Sequence, residues 1–101
     1  MISSTTLIRA KPGREKAIRE ALLDLADLTS ATEPGTLDLV IAQDAHDPGL
    51  FSLCGNFTDE AALNEHHNSD PMTRFLFFAR DMLDGPMSRV SGTTLFTKRA
   101  G

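Results

Sequence analysis

Two amphipathic helical patterns, each set between strand-like runs and each closed by a Pro-Gly or Gly-Pro turn, constrain this chain most. Ile2 to Ala10 is rich in Thr and Ile and runs into Lys11-Pro12-Gly13, which reads as a strand and a turn. From Arg14 to Ala31 the residues Ala17, Ile18, Ala21, Leu22, Leu25 and Leu28 recur at three and four, the spacing of a helix with one buried face. Glu33-Pro34-Gly35 ends it. Thr36 to Gln43 and Leu50 to Phe57 are two further strands, joined by a short polar loop through Asp47-Pro48-Gly49 and so expected to form an antiparallel hairpin. Thr58 is placed to cap the next helix, with Asp59 and Glu60 suiting its dipole and an end near His67. Ser69-Asp70-Pro71 starts a new helix, a capping residue followed by proline in the first turn. Its apolar stripe is Met72, Phe75, Leu76, Ala79, Met82 and Leu83, and Gly85-Pro86 stops it. Ser88 to Lys98 reads as a last strand.

The order β-α-β-β-α-β, with the second helical region broken in two, predicts an α+β fold. It is the ferredoxin-like arrangement, a four-stranded antiparallel sheet with helices on one face. Strand two carries apolar residues on both sides, Leu37, Leu39 and Ile41 on one and Val40 and Ala42 on the other. A sheet apolar on both faces has to bury the second one as well. A sheet-to-sheet homodimer is the simplest means, since twofold dimers are the commonest oligomers.

A length of 101 residues suits one domain over 1–101 with one core. Apolar residues at 41% and charged residues at 24% are ordinary for a soluble globular chain. A net charge of −4 with scattered basic residues, the largest group being Lys98-Arg99, argues against nucleic-acid binding. With the single cysteine Cys54 no internal disulfide can form. In its apolar run Cys54 reads as a small buried hydrophobe, with a reactive thiol as the alternative. The start Met1-Ile2-Ser3-Ser4-Thr5-Thr6 has no basic or long apolar run, so a cytoplasmic location and no membrane partner are expected. Asn56-Phe57-Thr58 matches a glycosylation sequon by accident in that setting.

Taken in order, these pieces resemble the antibiotic biosynthesis monooxygenase family. Lys11-Pro12-Gly13 is similar to its turn before the first helix, and Glu33-Pro34-Gly35 to its turn into strand two. Phe57 to His66 resembles its aromatic-acidic-Ala-Leu-His segment, and Gly85-Pro86 an ending found in its quinol-oxidising and signal-processing relatives. The resemblance covers nearly the whole chain. It implies a dimeric α+β barrel with a pocket between helices and sheet. It also implies one of several chemistries, including cofactor-free oxygenation of quinols and phenols, haem degradation and the processing of small signal molecules. This chain departs from the family pattern in three places. Phe57 stands where Trp or Tyr is frequent, Gly55 stands where Glu is frequent, and Ser69-Asp70-Pro71 lacks a second histidine. These changes argue against haem degradation and against a base at position 55.

His66 is the catalytic candidate. It shares a helical face with Ala62 and Leu63 and so points inward, where an imidazole can take a phenolic proton near neutral pH. Its alternative role is to fill the helix end. His67, a third of a turn away, is expected in solvent. Phe57, Phe75 and Phe78 are the candidate substrate-binding residues. Phe77 and Phe78 widen the helical stripe beyond one face and suit a ligand wall or a dimer interface, with plain core packing as the alternative to a ligand wall. Arg9, Arg74 and Arg80 are candidates for an anionic group, solvation being their usual state. His46, His66, His67, Asp44 and Glu65 have no spacing that demands a metal. The isolated glycines make no phosphate loop, and neither flavin nor nicotinamide has local support, so no cofactor is expected.

The expected function is therefore a cofactor-independent monooxygenase acting on a small aromatic or quinol, with O2 as co-substrate. The alternatives are a non-catalytic small-molecule-binding dimer and an isomerase or lyase on a small signal molecule.

Overall fold

Strand β1 (Ile2–Arg9) forms the inner seam of the sheet because it pairs antiparallel on both sides, with β3 (Leu50–Phe57) and with β4 (Ser88–Thr93). Strand β2 (Thr36–Gln43) pairs with the other edge of β3, giving the order β2-β3-β1-β4. Helices α1 (Glu15–Thr32), α2 (Glu60–His67) and α3 (Asp70–Ala79) complete the chain order β-α-β-β-α-α-β, the ferredoxin-like arrangement expected. The computed structural model describes residues 1–98. Arg99 of the terminal basic pair lies outside them.

Period-two alternation sends Phe51, Leu53, Gly55 and Phe57 of β3 to the helix side, where all four are buried. The stripe of α1 that meets them is Ile18, Leu22, Leu25 and Thr29, and with Met72, Phe75 and Ala79 of α3 it closes the main core. A smaller cluster, Phe57 with Ala62, Leu63 and half-buried Ile2, lies under α2. Gly35 is required where α2 crosses the start of β2. A Cβ built on it would stand 2.7 Å from the Cβ of Ala62, too close for both to remain in place.

Several boundaries differ from the sequence reading, each for a local reason. The fourth position of the α1 stripe is Thr29, 1% exposed, while Leu28 is 39% exposed. Helix α2 is capped by Asp59, whose carboxylate accepts from the Ala62 N–H at 2.8 Å, and not by Thr58. Ser69 caps α3 as expected, accepting from Met72 N–H. Helix α3 stops at Ala79, short of Met82 and Leu83, because the end of β1 recruits that segment. Lys11 N–H donates to Met82 carbonyl oxygen at 2.8 Å and Asp84 N–H to Arg9 carbonyl oxygen at 2.7 Å. Strand β4 ends at Thr93, opposite Ile2, the first residue of β1, and Thr94 N–H still donates to the Met1 carbonyl oxygen at 3.0 Å. Leu37 sits at a register shift between Thr36 and Asp38, and at 42% exposed it does not join Leu39 and Ile41 inside.

Cys54 is exposed, contrary to the buried role read from its neighbours. It faces away from the helices, since its strand neighbours Leu53 and Gly55 are the inward ones. Cross-strand pairing aligns Val40, Cys54, Thr5 and Val90 in one row across all four strands of that open face. Val40 is 60% and Val90 76% exposed.

Candidate active site

His66 closes the last turn of α2 and is 4% exposed. Its Nδ1 lies 2.7 Å from Oε1 of Glu33, a residue that immediately follows α1 and carries the turn into β2. The two side chains are 5% and 12% exposed, so the pair is largely removed from water. Thr36 Oγ1 also donates to Glu33 Oε1, at 3.2 Å. A carboxylate on Nδ1 favours a proton there and leaves Nε2 as the acceptor. Among the described residues, His66 has no side-chain hydrogen bond other than the one at Nδ1. The Phe57 ring flanks the imidazole with centroids 5.2 Å apart and planes tilted by 41°.

His66 borders a cavity of about 30 Å³ between sheet and helices. Phe57, Gly55 and Leu53 of β3, Ser4 and Thr6 of β1, and Leu39 of β2 line the sheet side. Met72 and Phe75 of α3, His67 of α2, and Met87 and Arg89 from the β4 segment complete it. That volume holds about one water molecule, so a ring enters only if a wall side chain moves. Met87 is half-buried and Arg89 exposed, whereas Phe57 and Phe75 are fixed in the core.

The sequence candidates separate here. His66, Phe57 and Phe75 come together at the cavity. Phe78 does not reach it; it is 51% exposed and lies on an open groove of about 600 Å³ between α1 and α3, beside Leu28 and Arg74. Phe77 is also exposed, beneath the Arg80 guanidinium at 4.4 Å. Arg9 is committed to Asp47 at 2.7 Å, on a loop away from the cavity. Among the described residues, no group of three or more His, Cys, Asp or Glu is placed to hold a metal ion.

His67 is a correction to the sequence reading. It is half-buried, lines the cavity, and has Nδ1 3.5 Å from Arg89 Nη1. Burial, the Arg89 cation and the neighbouring His66 together push its pKa down to about 4. A folded-state value below the unfolded one means that the unfolded chain binds more protons between them. Stability from this group is therefore complete above about pH 6.5 and is lost as pH falls towards 4. His67→Gln should be less acid-sensitive than the parent across that window in urea titrations. Parallel losses in the two proteins would show that His67 does not contribute.

Two residues of the site, Glu33 behind His66 and Arg89 on the cavity wall, escaped sequence reasoning. Glu33 looked like one more turn residue, because nothing local reports that a partner lies 33 positions on. Arg89 was invisible because its inward direction depends on pairing with Thr6 of β1, a register the sequence does not print.

The family model for antibiotic biosynthesis monooxygenase matches residues 1–76. No curated protein is similar to the chain. Among solved structures, one from Nitrosomonas europaea, whose name proposes an antibiotic biosynthesis monooxygenase, is 21% identical with a TM-score of 0.89. The match covers 95% of this chain and 100% of that one. A Caulobacter crescentus structure whose name proposes the same activity is 18% identical, covers 94% and 90% of the two chains, and has a TM-score of 0.87. A Pseudomonas aeruginosa protein is 28% identical over 94% of each chain, with a TM-score of 0.84.

Proposed function

The chain belongs to the antibiotic biosynthesis monooxygenase family, and from that premise we propose that it is a cofactor-independent monooxygenase acting on a small phenol or quinol. The observation that carries this reading is the buried Glu33–His66 pair, whose histidine lines the cavity with its one side-chain hydrogen bond, among the described residues, made at Nδ1. Glu33 would hold the imidazole in one tautomer, and Nε2 would take the substrate's hydroxyl proton. The electron-rich phenolate then passes electrons to O2. One oxygen atom is inserted into the ring and the other leaves as water, the substrate supplying the electrons. Phe57 and Phe75 would orient the ring and exclude water. Two buried polar groups, Ser4 and His66, border the space, which favours chemistry over passive binding. The second reading, a binding protein of the same fold, is favoured by the small cavity and by Gly55, which puts no side chain into it.

Oxygen uptake without added metal or cofactor, against hydroquinones and polycyclic phenols, tests the proposal. His66→Asn is the informative variant. Its amide can still donate to Glu33, but it offers no base in place of Nε2. Uptake above the autoxidation blank that falls at least tenfold in His66→Asn is expected. Equal uptake in both proteins would remove His66 from the mechanism, and no uptake with any substrate would favour the binding reading.

We further propose that the open sheet face seats a second copy of the chain. The row Val40, Cys54, Thr5 and Val90, with Leu7 nearby at 42% exposed, is the patch it would cover. Cys54 reports on this directly. In a dimer its thiol should resist a soluble disulfide reagent until denaturant is added, and light scattering should give twice the 11.0 kDa chain mass. Immediate labelling by a species of single mass would exclude the arrangement. Among the described residues, no helix is long and apolar enough to cross a membrane.

A further inference from the structure

We propose that Arg89, together with His67, forms an anion-recognising edge of the cavity, so that the chain takes its phenol as the phenolate. This rests on the reading of the cavity as the binding site, but not on oxygen chemistry.

The chain carries a net charge of −4, yet among the described residues the one permanently charged side chain lining the cavity is a cation, Arg89. Strand register places it there. Arg89 pairs with Thr6, and Thr6 pairs with Leu53, so the three form one row on the helix side of the sheet. Among the described residues, no carboxylate lies within ion-pair distance of Arg89, whereas Arg9 has Asp47 and Arg80 has Asp81. Its recorded polar side-chain contact is with Nδ1 of His67 at 3.5 Å, the outer limit of a hydrogen bond. The guanidinium fork therefore keeps donors for a ligand, and a fork of this kind suits an oxyanion.

The other groups around the space are compatible with this. His67 is held neutral by burial and by Arg89 itself, so it can donate from one ring nitrogen without needing a counter-ion. Helix α3 contributes only the apolar Met72 and Phe75, and β1 only the hydroxyls of Ser4 and Thr6. Glu33 is the nearest acid the site engages, and its Oε1 is taken up by His66 and Thr36. When a phenol binds, its O–H bond breaks, the proton passes to Nε2 of His66, and Arg89 donates to the oxygen left behind. A preorganised cation at the place where charge develops is an effective way to stabilise such a product.

The probe is 4-nitrophenol, whose neutral and ionised forms absorb differently. The chain has no Trp and no Tyr, so its own absorbance does not interfere. The ionisation midpoint of the bound probe should lie about one unit or more below that of the free probe. In Arg89→Gln that shift should vanish, while Arg89→Lys should keep part of it. The same midpoint in the parent and Arg89→Gln would overturn the proposal, as would an absence of binding at millimolar probe. The two readings fail separately. A lowered midpoint without oxygen uptake keeps the anion edge and removes the oxygenase. Uptake with an unshifted midpoint does the reverse.

Discussion

Replacing His66 with alanine should destabilise the fold by about 3–5 kcal/mol, a large share of the roughly 5–15 kcal/mol that holds a domain of this kind together. The loss comes less from the missing ring than from what remains. Glu33 is 12% exposed, its Oε2 is buried with no hydrogen-bond partner among the described residues, and only the Thr36 hydroxyl would still serve Oε1. Breaking one side of a buried pair leaves an uncompensated charge, whereas removing both sides does not. The double variant Glu33→Ala/His66→Ala should therefore be more stable than His66→Ala alone, despite carrying one more truncation. Urea denaturation of the four proteins in that cycle measures it. A His66→Ala loss below about 1 kcal/mol, or a double variant weaker than both singles, would mean that the pair is not worth what its geometry suggests.

Phe57→Ala should cost a similar amount, about 3–5 kcal/mol, and should also change what the cavity admits. The side chain is 1% exposed and belongs to the small cluster under α2. Its ring flanks His66 and also roofs Gly55. A Cβ built on Gly55 would meet Phe57 Cε2 at 2.9 Å and Cζ at 3.0 Å. Residues 55 and 57 are therefore one packing decision, in which a flat ring lies over a bare backbone. Truncating the ring empties space next to a cavity of about 30 Å³, so Phe57→Ala should bind phenols larger than the parent accepts. Gly55→Ala alone should cost about 1–3 kcal/mol by forcing the ring aside. In a Phe57→Leu background the same change should cost clearly less. Additive losses would show that the two positions do not compete for the same space.

Most of the fold was legible because its signals are local. The stripe of α1, the alternation of β3, and the Pro and Gly turns each need only a few neighbouring residues to be read, and β2 and β3 begin and end where expected. The errors fall where a distant segment decides. Helix α3 loses its last turn because the end of β1 takes up the backbone of Met82 and Asp84. Strand β4 is shorter than its composition because its register brings Thr93 opposite Ile2, where β1 begins. Cys54 lies in an apolar run, but alternation gives half of such a run to the outer face, which no second layer covers among the described residues.

The candidate site divides in the same way. Helical spacing alone turned His66 inward, and strand alternation put Phe57 on the inner face. The sequence also supplied Glu33, but as a turn residue. Its carboxylate reaches His66 only because α2 packs against the start of β2, at Gly35 and Ala62. Phe75 and Phe78 are three apart on one helix, yet one is 5% and the other 51% exposed, since the width of the buried face is set by how α1 seats beside α3.

What the sequence by itself determined was the order of elements, most of their faces and the inward histidine. These follow from backbone geometry, with periods of 3.6 and 2 that any stretch of chain carries with it. What only the tertiary structure decided was the company that histidine keeps. Glu33, 33 residues before it, joins the site because α2 packs against the start of β2, and Arg89, 23 residues after it, because β4 pairs with β1 in one particular register. That register is fixed by the sum of many packing contacts and by no residue that can be read alone.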